Sequence, residues 1–263
     1  MRGIDVSSHN GKIDWKAVKS SGIDFAIIRA GYGNSTIDEY FEENITEALK
    51  IGLKVGVYWM AYPLNEKDAI EEANFCVNLV KPYKLSFPIF YDFEYDSERY
   101  AGDNGVKFTH ESRVSTIKAF CDRVYELGYT SGVYTNLDYI NYRLNFYDLK
   151  AYPLWLAKYG SNEKQTTYGE ILRQTTDIGK INGIVGDVDI DVCFISLTDN
   201  VPTEENDNKP SEWSKEAVEW AVKNGILKGD ENGDYKLRDN ITTERFITIL
   251  HRTIKNIKLD IGE

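Results

Sequence analysis

Two carboxylates separated by one residue follow an apolar run in FPIFYDFEYDSE, residues 87–98. On a β-strand, Asp92 and Glu94 would face the same side, roughly 6.6 to 7 Å apart along the chain. Like charges that close in partly dry surroundings raise the pKa of one carboxyl. That carboxyl can act as a general acid, while its ionised neighbour steadies positive charge or acts as a base. The pair therefore predicts acid–base chemistry of the kind that cleaves an acetal.

Further acids lie in other predicted strands. Asp5 belongs to RGIDVS at the start of the sequence, and Asp189 belongs to VDIDVCF near residue 190. If the strands close into a barrel, the first and last become neighbours, and Asp5 and Asp189 are expected to meet. We therefore predict four catalytic carboxylates: Glu94, Asp92, Asp5 and Asp189.

Metal binding is the rival use of such acids, and the other ligand types give it little support. Three histidines have no metal-ligand spacing, and three cysteines are isolated: His9, His110, His251, Cys76, Cys121 and Cys193. We predict neither a metal nor another cofactor. A magnesium or calcium site stays the alternative, and it predicts loss of activity with a chelator.

Aromatic side chains accompany the acids at the predicted strand ends. The chain has 18 tyrosines and no basic run. A Tyr-rich chain without a nucleic-acid signature often stacks its rings on flat ligands such as sugars. We predict four substrate-binding residues: Tyr32, Tyr62, Tyr134 and Trp155. The alternative for each is a place in the core or at the rim.

The elements that would position these residues alternate between short apolar segments and amphipathic ones. Strand then helix, repeated four or five times, favours the α/β class with a parallel sheet and right-handed crossovers. About eight strands would let the sheet close into an irregular TIM-like (β/α) barrel, whose active site lies at the C-terminal strand ends. The predicted strands are residues 2–7, 24–33, 54–63, 87–95, 130–136, 152–160, 170–177 and 188–194.

The alternation of strand and helix patterns ends near residue 198. Residues 199–210 are polar, acidic and contain two prolines, which predicts a linker. Residues 211–263 then show two amphipathic helical patterns. We therefore predict a catalytic barrel at 1–198, a linker at 199–210 and a small α-helical module at 211–263.

Charge and hydropathy limit the partners and the location. The formal net charge is -11, which argues against nucleic acid and against anionic membrane surfaces. No run of about 18 apolar residues predicts a membrane span, and no signal peptide precedes the first strand. The odd, isolated cysteines fit synthesis in a reducing compartment.

Five motifs, in this order and at these intervals, resemble glycoside hydrolase family 25, the muramidase (lysozyme) family of bacterial cell-wall enzymes and phage endolysins. They are GIDVSSHNG, DFE, GVYTN, PLWLAKY and VDIDVCF, within residues 2–197. The resemblance implies a barrel of eight strands and about five helices that hydrolyses the β-1,4 bond between N-acetylmuramic acid and N-acetylglucosamine in peptidoglycan. It implies that Glu94 is the general acid and Asp92 its partner, with Asp5 and Asp189 lining the site.

The resemblance leaves the mechanism open, and one residue departs from the family pattern. In one route Glu94 protonates the leaving oxygen while Asp92 orients the substrate's own N-acetyl group for attack; in the other, water attacks directly. Where the family often shows V-D-x-N, this chain has Asp191, an added acid that bears on the pH optimum. The alternative function is an inactive barrel that binds cell-wall carbohydrate.

The tail resembles an S-layer homology module through WSKEAV, NGILKGD and ITTERF. The resemblance implies binding of a secondary cell-wall polymer, although there is one copy and residues 242–245 depart from the family's Thr-Arg-Ala-Glu. Self-association through the tail is the rival. We expect synthesis in the cytoplasm of a phage-infected, Gram-positive bacterium and action on the wall after release.

Overall fold

The computed structural model describes residues 1–160, 165–195, 215–229 and 243–260, together with Gly233, Tyr235 and Leu237. The chain divides into two compact units, Met1–Asp199 and Asn200–Glu263. The predicted linker at 199–210 lies outside the described residues and stays a prediction.

Eight strands of the first unit close into a barrel, as predicted. The strands of the described residues are β1 (Arg2–Val6), β2 (Phe25–Tyr32), β3 (Thr36–Ile37), β4 (Lys54–Met60), β5 (Ile89–Asp92), β6 (Ser131–Asn136), β7 (Leu154–Ala157), β8 (Leu172–Gly179) and β9 (Val188–Cys193). The ring runs β1, β2, β4, β5, β6, β7, β8, β9 and back to β1. The two-residue β3 pairs with β2 alone, outside the ring. Each predicted strand segment overlaps one strand of the ring.

The last strand runs against the others, which corrects the expectation of a parallel sheet. β1, β2 and β4 to β8 pair in parallel, whereas β9 pairs antiparallel with both β8 and β1. Residues 180–187, which separate β8 from β9, are too few for the crossover of a dozen or more residues that a parallel pair needs. The reversal brings the start of β9, with Asp189, to the barrel end where the other strands finish.

Seven α-helices lie in the described part of the first unit, more than the five or so expected. Side chains of Asn65 and Thr109 cap the two longest by accepting backbone N–H groups. Three of the seven have six residues or fewer, which is too short to show a clear period. The helices are α1 (Trp15–Ser20), α2 (Phe41–Lys50), α3 (Glu66–Val80), α4 (Tyr95–Asp103), α5 (His110–Glu126), α6 (Leu137–Tyr142) and α7 (Phe146–Leu149).

Apolar cores lie on both faces of the barrel wall. The larger core packs strands against helices, and its members include Val57 and Ile117, which are fully buried. A smaller core fills the barrel interior and includes Phe25, Phe90 and Trp155. Burying each such large side chain contributes about 1.5 to 3 kcal/mol. Because side chains alternate along a strand, Phe90 lies one interior layer below Asp92. We call the open end of the barrel, where Asp92 ends β5, the mouth. The interior core of Phe25, Phe90 and Trp155 closes it from below, and we call this core the floor.

Glycines opposite the interior rings give them room. A Cβ atom on Gly132 of β6 would lie 2.7 Å from the ring of Phe90 and 2.8 Å from the carbonyl oxygen of Pro153. A Cβ atom on Gly3 of β1 would lie 2.3 Å from the ring of Phe25. Small barrels often alternate small and large interior residues in this way.

Replacing Gly132 with Ala is expected to lower the free energy of unfolding by about 1 to 3 kcal/mol, because the methyl group must displace a ring or the backbone. Gly102 in α4 is the matched control, since a Cβ atom there meets nothing within 4 Å. Gly102→Ala is expected to raise the free energy of unfolding by about 0.5 to 1 kcal/mol. Urea denaturation followed by circular dichroism measures the free energy of unfolding of both variants. Equal changes in the two would contradict the claim that Gly132 gives room to the ring of Phe90.

The described part of the second unit consists mainly of two helices, α8 (Lys215–Lys223) and α9 (Thr243–Asp260). They coincide with the two helical patterns in the sequence. Trp220, Phe246 and Leu250 are about half exposed on these helices. Among all described residues, no helix combines the length and hydropathy that a membrane span requires.

Candidate active site

β5 brings the first two predicted acids to the C-terminal edge of the barrel. Asp92 is the last residue of this strand, and Glu94 lies directly before α4. The backbone N–H of Glu94 donates to Oγ of Ser97 at 3.2 Å, which fixes the turn from strand to helix. Active sites of barrel enzymes lie at this edge.

Asp92 is nearly buried, and one of its oxygens lacks a partner. Its exposed fraction is 7%, and Oδ1 accepts no hydrogen bond from the described residues. Burial first, and then the charge of Glu94, raise the pKa of Asp92, while the positive charge of Arg29 acts against this rise. A buried acceptor without a donor costs about 1 to 3 kcal/mol, so Oδ1 is suited to accept a hydrogen bond from a ligand.

Glu94 is half-buried and reaches an open groove of about 450 Å³. Burial and the charge of Asp96 raise the pKa of Glu94, and a hydrogen bond with Asn136 lowers it. A carboxyl that holds its proton and also reaches a groove has the properties of a general acid. The groove is lined by Glu94, Tyr134, Asn136, Leu137, Asp138, Ala157, Lys158 and Tyr159.

Asp5 and Asp189 lie opposite each other, as barrel closure predicts. They are register partners in the ladder between β1 and β9. Asp5 is 5% exposed, and burial, followed by the charges of Asp191 and Asp189, raises the pKa of Asp5. Burial and the charge of Asp177 raise the pKa of Asp189 to about 6. The mouth therefore keeps several carboxyl groups protonated at a higher pH than in water.

Tyr134 connects the two pairs of acids. It is the register partner of Asp92 on β6, and its hydroxyl donates to Oε1 of Gln174 at 3.1 Å. Burial and the charges of Asp92, Glu94 and Asp5 raise the pKa of Tyr134, so the phenol stays neutral. Tyr134 also lines the groove beside Glu94, and its contact with a substrate stays a prediction.

Trp155 lies in the floor, which corrects its prediction as a stacking residue. Its exposed fraction is 1%, and its ring centroid lies 4.6 Å from that of Tyr134 and 5.9 Å from that of Tyr58, both edge-on. No ring face is open to a sugar. The physical reason is its depth, because Trp155 is the second residue of β7 and Ala157, two residues later, reaches the groove.

Tyr32 is the last residue of β2 and Tyr62 lies two residues beyond the end of β4, on another side of the mouth. Their ring centroids are 6.0 Å apart, and Tyr100 of α4 lies 5.0 Å from Tyr62. The guanidinium carbon of Arg29 lies 5.7 Å from the ring centroid of Tyr32. Both predicted residues are partly exposed, and their stacking on a sugar stays a prediction.

Metal ligands are not grouped in the part of the chain that the structure describes. No set of three or more His, Cys, Asp or Glu side chains there is arranged to hold a metal ion. The prediction of neither metal nor cofactor stays a prediction.

Most of the barrel matches the model of a known family. Residues 4–184 match the family model described as glycosyl hydrolases family 25. The chain belongs to glycosyl hydrolase family 25. The match includes Asp5, Asp92 and Glu94 and ends shortly before Asp189. A second match, to the S-layer homology domain, covers residues 207–242.

Named proteins of similar sequence and fold accompany the family 25 match. The autolytic lysozyme of Clostridium acetobutylicum is 30% identical over 191 residues, which are 73% of this chain and 55% of that protein. The modular autolysin LytC from Streptococcus pneumoniae, solved with a synthetic peptidoglycan ligand, is 32% identical with a TM-score of 0.65, over 72% of this chain and 46% of LytC. The chain thus spans about half the length of these two relatives.

A third structure, the bacterial lysozyme from Streptomyces coelicolor, shows likeness of fold alone. Its identity is 23% and its TM-score 0.60, over 74% of this chain and 93% of that chain. It supports the family 25 barrel without bearing on individual side chains.

Three polar residues near the acids of the mouth were not among the predicted ones. Arg29 pairs with Asp38 at 2.7 Å and contributes positive charge near Asp92. Gln174 donates to Asp5 at 2.8 Å, and Asn136 bonds to Glu94. Their positions in the sequence could have indicated them, because Arg29 is a charged residue within an otherwise apolar strand and Asn136 is a polar residue at the end of one.

Proposed function

We propose that the first unit is a 1,4-β-N-acetylmuramidase that cleaves peptidoglycan between N-acetylmuramic acid and N-acetylglucosamine. The observation that carries the proposal is the pair formed by buried Asp92 and groove-lining Glu94 at the strand edge of a family 25 barrel. The names of an autolytic lysozyme and of an autolysin solved with a peptidoglycan ligand support the same substrate.

Glu94 supplies the proton in the proposed reaction. Its raised pKa lets the carboxyl keep its proton to a higher pH than in water, and its place in the groove lets it reach a glycosidic oxygen. The proton passes to that oxygen as the bond to the anomeric carbon breaks, and the bonding electrons leave with the departing sugar.

Asp92 orients the nucleophile in the route that we propose. Its unpaired, buried Oδ1 would accept the N–H of the substrate's acetamido group, which turns the acetamido oxygen toward the anomeric carbon. That oxygen forms a bond to carbon as the leaving group departs, giving a cyclic intermediate. Water then opens the ring, and the Glu94 carboxylate takes the water's proton. Direct attack by water is the alternative route.

A barrel that binds the wall without cutting it is the alternative function. Glu94 at the groove and the buried carboxyl of Asp92 disfavour it, since binding alone does not need a carboxyl with a raised pKa. Turbidity of purified walls decides between the two. Clearing of the suspension supports the muramidase, whereas wall binding without clearing contradicts it.

We also infer that residues 211–263 bind a secondary polymer of the cell wall. The match to the S-layer homology domain supports this. Lys228, Arg245 and Arg252 line a groove of about 320 Å³ in the second unit, and such basic side chains suit an anionic polymer. Self-association through the half-exposed apolar side chains is the rival.

Deleting residues 203–263 is expected to remove most of the protein's binding to intact walls, because the polymer-binding unit is lost. Both the full chain and the truncated chain carry Glu94→Gln, so that the walls stay intact during the assay. Co-sedimentation measures the bound fraction, and analytical ultracentrifugation reports self-association. Equal wall binding by the two proteins would remove the targeting role, and a change from oligomer to monomer would favour the rival.

A further inference from the structure

Asp191 lies one step deeper than Asp189 on the same face of β9. It is 0% exposed, and its register partner on β1 is Gly3, which has no side chain of its own. Its Oδ1 accepts the Nε1–H of Trp155 at 2.8 Å. Its Oδ2 is buried and receives no N–H or O–H group from the described residues. This carboxyl therefore has one oxygen that is satisfied and one that needs a donor.

The Asp5 carboxyl is the group that can supply that donor. Asp5 and Asp191 lie on the paired strands β1 and β9, where Asp191 opposes Gly3 and Asp5 opposes Asp189, and a hydrogen bond between the two carboxyls raises the pKa of Asp5 and lowers that of Asp191. Two ionised carboxylates accept hydrogen bonds and donate none, and their charges repel. A single proton between them turns the same contact into an O–H···O⁻ bond, which is among the stronger hydrogen bonds in proteins.

Gln174 fixes the other side of Asp5. Its Oε1 accepts the hydroxyl groups of Tyr134 and Tyr159 at 3.1 and 2.9 Å. Because both phenols donate to that oxygen, the amide N–H must face Asp5, and Nε2 donates to Oδ2 of Asp5 at 2.8 Å. Asp5 is thus held between Gln174 and Asp191, in one network with Tyr134 of the groove.

We propose that Asp191 is a positioning residue that holds Asp5 through one shared proton, and that loss of this proton at alkaline pH lowers wall lysis. The effect on lysis rests on the proposed muramidase function, whereas the shared proton does not.

The surroundings of the pair favour a retained proton. Burial raises the pKa of Asp191 to about 7, although the hydrogen bonds from Trp155 and Asp5 act against the rise. A carboxyl with a raised pKa is neutral at low pH and loses its proton as the pH rises through that value. The other titratable groups that face the pair are Asp189 of β9, Tyr58 of β4, Tyr134 of β6 and Tyr159 beyond β7.

The shared proton is tested first without any turnover. The side-chain carboxyl ¹³C signal of Asp5 is followed from pH 4 to pH 9 in the wild type and in Asp191→Asn, with Asp5→Asn to assign it. An Asn amide keeps the bond to Trp155 and donates to Asp5 at every pH. We expect Asp5 to titrate at a clearly lower pH in Asp191→Asn. Superimposable Asp5 titrations would overturn the proposal, whether or not the protein lyses walls.

The effect on activity is tested by the ratio of lysis rates at pH 8 and pH 6. Burial raises the pKa of Asp191 to about 7, so at pH 8 about a tenth of the wild-type molecules keep the shared proton. The Asn amide does not titrate, so the ratio of the lysis rate at pH 8 to that at pH 6 is expected to be several-fold higher in Asp191→Asn than in the wild type. Asp191→Ala lacks the donor and is expected to be slower at both pH values. Asp103→Asn, on the exposed end of α4, changes net charge equally and should match the wild-type ratio.

The outcomes separate the two proposals. If Asp191→Asn and Asp103→Asn give the same ratio while the wild type lyses walls, Asp191 does not position Asp5 for catalysis. If the wild type lyses no walls at any pH, the muramidase proposal fails, and the ¹³C titration still decides whether the proton is shared.

Discussion

Replacing Glu94 with Gln is expected to slow wall lysis by about 10²- to 10⁴-fold, because an amide cannot give a proton to the leaving oxygen. Gln has nearly the same shape and keeps a carbonyl oxygen for the bond with Asn136. The carboxyl is half-buried at a groove, so its loss should not open the core. The barrel is expected to fold as before, with an unchanged circular dichroism spectrum.

The initial rate of turbidity loss on purified walls measures the effect. Glu126→Gln is the matched control, since Glu126 makes an exposed ion pair with Arg123 on α5, and it should lyse walls at the wild-type rate. If Glu94→Gln keeps a rate near that of the wild type, Glu94 is not the general acid.

Replacing Asp92 with Asn is expected to lower kcat by about 10²- to 10³-fold, the usual cost of losing one preorganised electrostatic group. An Asn side chain fills the same space, but it cannot stabilise the positive charge that develops on the acetamido group. Asp92 is buried beside Glu94 and its pKa is raised. A carboxyl of this kind destabilises the fold at pH values above its ordinary pKa.

Asp92→Asn should therefore be at least as stable as the wild type at neutral pH while being much slower. Kinetics on soluble glycan fragments and urea denaturation at the same pH measure the two quantities. A rate close to wild type, or a loss of rate fully explained by unfolding, would contradict the proposed role.

The anomer of the sugar that forms first, identified by proton NMR, tests the route of the reaction. Retention of configuration supports the acetamido group as nucleophile, and inversion supports direct attack by water.

The barrel could be predicted because each strand is long enough to show its pattern. Apolar runs bounded by Gly, Pro or Asn mark β1, β2 and β4 to β9, and Asp5 meets Asp189 once the ring closes. The direction of β9 was missed, because a strand segment has the same composition in either direction. The short link of residues 180–187 was the usable signal.

The carboxylates of the mouth could be predicted, but the depth of their neighbours could not. Trp155 and Ala157 point to the same side of β7, and one lies in the floor while the other lines the groove. The residue at which β7 ends determines which of the two side chains reaches the groove, and sequence patterns do not locate the ends of elements to within one or two residues. The contact of Asp191 with Asp5 joins two residues 186 positions apart, so it depends on the register of β1 against β9.

The sugar at the newly formed reducing end tests the central claim most directly. Purified peptidoglycan is digested with the protein, the fragments are reduced with borohydride, and mass spectrometry identifies the reduced sugar. We expect reduced N-acetylmuramic acid at the new ends, and none after digestion with Glu94→Gln. Reduced N-acetylglucosamine, or fragments cut in the peptides with intact glycan strands, would contradict the muramidase function.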